Sequence, residues 1–305
     1  MTSLDIPSPH SFTSVLPLPR DDEGTEPAQP SAHGALHWVP HHDDGLQSRM
    51  ALIARWIEET RPAAVVVDVS VEVALLVRLL GVPVIVMTMP GDRTDAPHAL
   101  VHQLADHIVA AWPQELYEPE WLRDYAAKTS YVGGITRFGE REVLSPTGDR
   151  ASVLVLGGRG GCDFDQATVD ATAILVPEIA WRTLGVQRGP RTGDPWPDIC
   201  AADVVITHAG QNCVADVAAA RRPAIVIPQS RPFNEQCVTA DTLRTHRLAV
   251  ATSGWPDADT LRALMGRARA SDPGRWDLWR TAGAAARAAQ AIETTASRYA
   301  EPATL

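Results

Sequence analysis

Short apolar, β-branched runs alternate with amphipathic stretches along most of this chain, and the alternation predicts strands and helices in turn. The first part reads as a helix over 46–60, a strand Ala63–Asp68, a helix Val71–Leu80, a strand Val82–Thr88, a helix Ala99–Leu104 and a strand Asp106–Ala111. Trp112–Tyr131 mixes Pro, Trp, Glu and Tyr without a period. The pattern then resumes with a strand Ser152–Leu156, a helix Asp163–Ala173, an extended run Ile179–Leu184 and a short helix Trp196–Ala201. A strand Asp203–Thr207, a helix Val214–Ala220, a strand Ala224–Ile227, a helix Thr239–His246 and a strand Leu248–Ala251 follow, then helices Asp257–Arg269 and Trp276–Ala296. Strands that are apolar throughout are buried on both faces, so the expected class is α/β with parallel sheets. Residues 1–45 show no sustained period. There His41-His42-Asp43-Asp44 reads as the start of the 46–60 helix with an Asp at its cap, not as a metal cluster, because adjacent residues point in different directions.

The polar segments after the strands hold the candidate chemistry, since ligands of parallel sheets bind outside the carboxyl ends of the strands. Asp203–Thr207 stops at His208-Ala209-Gly210-Gln211-Asn212. Gly210 lets a ligand approach the backbone, and Gln211 or Asn212 is predicted to cap the next helix, whose free N–H groups would favour a phosphate. Pro228 ends the following strand, and Gln229–Gln236 reads as a second polar loop on the same edge. Gly157-Gly158-Arg159-Gly160-Gly161 admits a phosphate or sugar close to the backbone, but it matches neither a Walker loop nor a dinucleotide fingerprint. Met89–His98 also follows a strand, which makes Asp92, Asp95 and His98 candidate catalytic bases at the same ligand-binding edge. The alternative is an Asp-capped loop leading into the next helix. Trp276 and Trp279, at i and i+3, read as a core-facing pair.

With 305 residues, 45% of them hydrophobic and 21% charged, the chain is long enough for two domains with separate cores. A net charge of −10 argues against nucleic acid or an anionic membrane as a broad electrostatic partner, so a phosphate ligand needs a local site. Cys162, Cys200, Cys213 and Cys237 form no C-x-x-C pair and read as free thiols in a reducing cytoplasm. The longest apolar run, around Val82–Met89, falls far short of the ~20 residues of a spanning helix.

One stretch, residues 203–238, joins a strand, H-x-G-x-N, an acidic residue on the following helix, an R-x-P turn before an apolar strand, and a Glu-Gln pair. It resembles the donor-binding signature of the GT-B glycosyltransferases, especially the branch of the bacterial peptidoglycan N-acetylglucosaminyltransferase and the macrolide and plant glucosyltransferases. The resemblance implies two Rossmann-like domains whose parallel sheets face each other across a cleft. An acceptor-side domain, incomplete at its start, would span 1–140, and a nucleotide-sugar domain 141–305, with the crossing near Tyr131–Arg137. It further implies that His208 and the amides near Gly210, Gln211 and Asn212 hold a diphosphate. Asp216 would accept from the ribose, where many relatives have Glu, and Glu235 and Gln236 would bind the sugar. The glycine loop with Gly158, Arg159 and Gly160 would face the cleft, backbone near Leu184–Val186 would meet the base, and the terminal helix would return to the first domain.

The function so implied is inverting, metal-independent transfer of a sugar from a UDP- or dTDP-sugar to an acceptor hydroxyl, small or lipid-linked, with no cofactor. Relatives of this branch open with an apolar strand and a Gly/His-rich loop that are not found here. The expectation is therefore that transfer needs an upstream segment or a partner chain. Two other readings stay open: a donor-binding chain without catalysis, and a nucleotide-sugar epimerase or hydrolase on the same fold.

Overall fold

A computed structural model describes residues 1–3, 6, 12–21, 28–144, 151–158 and 162–299. Arg159 and Gly160 lie outside the described residues. Two sheets form, and every pairing in both is parallel. The first holds β1 (Val65–Asp68), β2 (Val84–Thr88), β3 (His107–Ala110) and β4 (Thr129–Tyr131) in the order β1-β2-β3-β4. The second holds β5 (Ser152–Leu156), β6 (Ala180–Leu184), β7 (Val204–Thr207), β8 (Ala224–Val226) and β9 (Val250–Ala251) in the order β6-β5-β7-β8-β9. Two parallel α/β sheets in one chain are the GT-B arrangement that the resemblance implied.

In the first domain, α1 (Asp44–Thr60), α2 (Val71–Leu79) and α3 (Ala96–Leu104) cover one face of the sheet. Asp43 caps α1 by accepting from the Leu46 N–H at 2.6 Å, so the His-Asp run is a helix start. Ile53 and Ile57, one turn apart, then meet Val65, Val67, Val84 and Val86. Ile85, Val109 and Val132 point to the opposite face, where Ala288 and Ile292 of the last helix, α10 (Ala284–Arg298), close over them. The C-terminal helix thus returns to the first sheet. The outer edge of β1 pairs with no strand among the described residues, and Val66 and Val69 beside it are 42% and 44% exposed.

Several boundaries differ from the pattern-based reading, each for a local reason. The stretch 112–131 contains α4 (Glu120–Arg123) and the edge strand β4, whose Thr-Ser-Tyr sequence is half-buried and carries no apolar alternation. Residues 276–296 are not one helix: a 3-10 turn, Pro273–Trp279, is cut off from α10 by left-handed Arg280 (φ 53°) and Gly283 (φ 71°). Both tryptophans are buried as expected, and Trp276 Nε1 donates to the Arg222 carbonyl at 2.9 Å. The remaining helices of the second domain are α5 (Gln166–Leu175), α6 (Trp196–Ala201), α7 (Gln211–Ala219), α8 (Glu235–Thr245) and α9 (Ala258–Arg269). Helix α7 therefore starts at Gln211, and its cap is Gly210 rather than Gln211 or Asn212. Helix α8 begins at Glu235, which puts Glu235 and Gln236 on a first helical turn rather than in a loop.

The loops after β5 and β6 dovetail. Gly157 N–H donates to the Leu184 carbonyl at 2.7 Å, and a Cβ at Gly157 would overlap the backbone carbonyl of Gly185, itself left-handed at φ 70°. Since no flexible side chain can yield there, Gly157→Ala is expected to destabilise the protein by about 1–3 kcal/mol. Denaturant unfolding measures this, and an unchanged midpoint would contradict the close approach of the two loops.

Candidate functional site

The two sheets direct their strand ends into one cavity of about 870 Å³, the size range of small-molecule sites. The second domain forms most of the wall through Gly157, Gly158, His208, Gly210, Gln211 and Asn212, with Glu235 and Gln236 beyond them. The first domain contributes Asp68, Val69 and Met89, and the crossing segment contributes Ile135, Thr136 and Arg137.

Strand β7 is buried along its whole length, which fixes the position of the turn after it. Gly210 leaves that turn extended (φ −69°, ψ 134°), and no side chain caps α7. Among the described residues no side chain bonds the first-turn N–H groups of α7, which stand at the positive end of the helix dipole where Gln211, Asn212 and Cys213 line the cavity. His208 is 2% exposed, and its Nε2 accepts from Gly158 N–H at 3.4 Å. That bond leaves Nδ1 as the N–H of a neutral ring. Burial, helped by the nearby Arg231 charge, pushes His208 down to about 4. The imidazole is therefore a neutral donor at physiological pH. A methyl on Gly210 would stand 3.8 Å from His208 Nδ1 and 3.9 Å from Gln236 Nε2, so both donors converge above the same glycine. Gln236 is oriented by its Oε1, which accepts from Gln229 N–H at 2.9 Å. Together these groups suit an oxyanion or diphosphate with a polar extension.

Asp216 lies on α7 at 8% exposure and accepts the Thr136 hydroxyl at 2.6 Å through Oδ1. Oδ2 remains as an acceptor for a ligand hydroxyl. Burial raises its pKa above the ordinary 3.8, and the Thr136 bond offsets this only in part.

The acceptor-side candidates stand elsewhere. Asp92 accepts from the Asn234 amide at 3.0 Å; Asp95 caps α3; His98 is buried beneath them, and none of the three lines the cavity. His37 Nε2 and His98 Nδ1 approach the Asp95 carboxylate at 3.1 and 2.6 Å, a spacing that also suits a cation. Arg93 donates to His98 Nε2 at 2.7 Å, so Nδ1 carries the proton, and the trio is a hydrogen-bonded chain. The carboxylate that does line the cavity from the first domain is Asp68, at the end of β1. Asp68 is exposed to the cleft, yet the protein around it desolvates the carboxyl enough to lift it above the usual range, and no side-chain hydrogen bond holds it among the described residues. Its neighbour Val69 sits at φ 71°, a strained conformation for a β-branched residue and of a kind that clusters at functional sites. Sequence reasoning passed over Asp68; the available signal was an acid closing an otherwise apolar strand at the ligand-binding edge.

Known proteins agree with this architecture. Residues 196–253 match the glycosyltransferase family 28 C-terminal domain. Over 211 residues the chain is 26% identical to the UDP-N-acetylglucosamine--N-acetylmuramyl-(pentapeptide) pyrophosphoryl-undecaprenol N-acetylglucosamine transferase of Oceanobacillus iheyensis, covering 59% of this chain and 56% of that protein. The chain thus spans little more than half the length of that curated relative. Among solved structures, UGT89C1 of Arabidopsis thaliana complexed with quercetin superposes with a TM-score of 0.63 at 15% identity, covering 94% of this chain and 85% of that one. The MurG of Acinetobacter baumannii does so with a TM-score of 0.53 at 19% identity, covering 81% and 77%. The fold is GT-B, and the sequence resemblance to glycosyltransferases of the MurG and macrolide branch holds.

The Asp216 shift has a consequence for stability. In the unfolded chain this carboxyl loses its proton near 3.8, while the folded protein retains it to higher pH. The stability it contributes is therefore complete below 3.8 and is lost as pH rises through the folded value. Asp216→Asn keeps the Thr136 bond without the buried charge. Thermal melts should show it more stable than the parent at pH 7, with the gap closing toward pH 3.8; equal melting temperatures at pH 7 would contradict the buried charge.

Proposed function

We propose that the chain binds a nucleoside diphosphate sugar in this cavity and belongs to an inverting, metal-independent glycosyltransferase. The observation that carries the reading is the convergence of the uncapped α7 N-terminus, His208 Nδ1–H and Gln236 Nε2 at the mouth of β7. A diphosphate leaving group develops negative charge as the glycosidic bond breaks, and preorganised N–H donors stabilise it without a metal ion. Asp216 takes the ribose hydroxyls through Oδ2, and Glu235 and Gln236 take the sugar hydroxyls. Gly158 borders the phosphates. The matched relatives are named for UDP-N-acetylglucosamine, which makes UDP the first nucleotide to test, with dTDP second.

Asp68 is the group best placed to deprotonate an acceptor hydroxyl, in preference to Asp92, Asp95 or His98. It faces the donor wall from the opposite domain, and its raised pKa makes it a stronger base than an ordinary carboxylate. A second reading, in which the chain binds donor and a partner segment completes the acceptor side, draws on the open outer edge of β1 with Val66 and Val69 exposed. Under that reading the chain alone transfers little sugar, and robust transfer by the purified chain would exclude it. Turnover of the donor without any acceptor would favour a hydrolase or epimerase.

Calorimetry with UDP, dTDP and their sugar conjugates tests donor binding. His208→Ala and Asp216→Ala should each cost about 1.5–3 kcal/mol, or roughly 10- to 150-fold in affinity. Unchanged affinity in both would remove this cavity from the function. Asp68→Asn should leave nucleotide affinity intact and cut acceptor-dependent release of nucleoside diphosphate by about 10²–10⁴. The parent rate should rise with pH as the Asp68 carboxyl loses its proton above 3.8. A variant with full activity would sink the assignment.

A further inference from the structure

The most deeply buried cation among the described residues is Arg93, on the first-domain loop after β2, at 3% exposure. Burying a guanidinium is costly unless its donors are all used. Here Nε donates to the Met89 and Pro90 carbonyls at 2.7 and 3.2 Å, Nη1 to His98 Nε2 at 2.7 Å, and Nη2 to Glu235 Oε2 at 3.4 Å. The plane also lies over the Phe233 ring, 5.2 Å from its centroid. Behind it, His98 Nδ1 donates to Asp95, and Asp95 in turn meets His37, so the guanidinium cannot swing away without breaking a chain of bonds. Burial pulls Arg93 below its ordinary value, while Glu235, Asp95 and Tyr117 support the charge.

Glu235 belongs to the other domain and lines the cavity. Its Oε2 is taken by Arg93, and Oε1 makes no hydrogen bond among the described residues. The backbone leading to it is strained, with Phe233 at φ 60° and Asn234 at φ 56°, and the first domain clamps that strain. Asp92 N–H donates to the Phe233 carbonyl at 2.7 Å, Asn234 donates to Asp92, and any Cβ on Gly91 would overlap the Phe233 carbonyl. A surface carboxylate on the first turn of a helix would sample several rotamers. This one is tied through Oε2 to Arg93, with the Arg231 charge also nearby, and Oε1 is left on the cavity that Glu235 lines.

We propose that Arg93 is a positioning residue for the sugar subsite: it reaches across the domain seam and holds Glu235 so that Oε1 accepts from a hydroxyl of the donor's hexosyl group. Part of the affinity for the sugar, though not for the nucleotide, therefore resides in the first domain. This rests on the donor-binding reading above.

The test compares the affinities of UDP with UDP-N-acetylglucosamine, and of dTDP with dTDP-glucose, by calorimetry on the full chain. The parent should bind a sugar conjugate more tightly than its bare nucleotide. Arg93→Gln should reduce that preference about tenfold, the loss of one charge-assisted hydrogen bond, and keep bare-nucleotide affinity within about twofold. Glu235→Gln should reduce the preference similarly, and the double variant should lose no more than either single one. Arg93→Lys, which keeps the charge without the fork, should restore part of it and controls for folding. A preference unchanged in Arg93→Gln, equal losses of bare and conjugated nucleotide, additive losses in the double variant, or a parent with no preference would each overturn the inference. A parent that binds none of the four probes would instead overturn the donor-binding reading.

Discussion

The uncapped N-terminus of α7 is the constraint around which this protein is arranged. A helix start with no side-chain cap leaves several backbone donors unpaired, and burying them without a partner costs as much as a lost hydrogen bond. The fold places those donors on a cavity and not in the core. It holds them still by burying β7 on both faces and stacking Gly157 against Gly185. His208 adds a neutral N–H because its other nitrogen is taken by the Gly158 amide. The second domain alone therefore supplies preformed N–H donors of the kind an anion needs, and the family match falls on residues 196–253 of the same domain.

What the second domain does not supply comes through the seam. Among the ties that cross it or run along it are the Thr136 hydroxyl on Asp216, the Arg93 guanidinium on Glu235, the Asp92 N–H on the Phe233 carbonyl, the Gly134 N–H on the Trp279 carbonyl, and α10 folded back on the first sheet. Two of the ties end on carboxylates that line the cavity, so the geometry presented to a ligand depends on how the domains are held. Asp68 lines the same cavity from the first domain.

The sequence made the α/β alternation legible because buried parallel strands carry continuous apolar runs, and β2, β3, β5, β7 and β8 each do so with at most one polar residue at an end. Strand β4 was hidden because Thr129, Ser130 and Tyr131 are only half-buried at a sheet edge. The H-x-G-x-N loop, Asp216 and the Glu-Gln pair were readable from their joint spacing, and the structure brings all of them to one cavity. The start of α8 was not readable, since Asn234 tolerates a left-handed backbone but nothing in Phe233 announces the one that Asp92 N–H of the neighbouring domain holds. The same limit misplaced attention on the loop 89–98. Its Asp and His residues are polar and follow a strand, but Asp92 is held by Asn234, Asp95 caps α3 and His98 is buried against Arg93, whereas Asp68 had only its position at a strand end to mark it.

Hydrogen exchange of the backbone amides, with and without saturating UDP, separates this arrangement from any other use of the cleft. Amides at the start of α7 that bond a diphosphate exchange more slowly, because they must break that bond to open. The result predicted is slowing confined to Gly157–Gly158, His208–Asp216 and the turn into α8, with the outer strands unchanged. Slowing elsewhere with the α7 N-terminus unaffected would contradict the placement of the phosphate and, with it, the function proposed here.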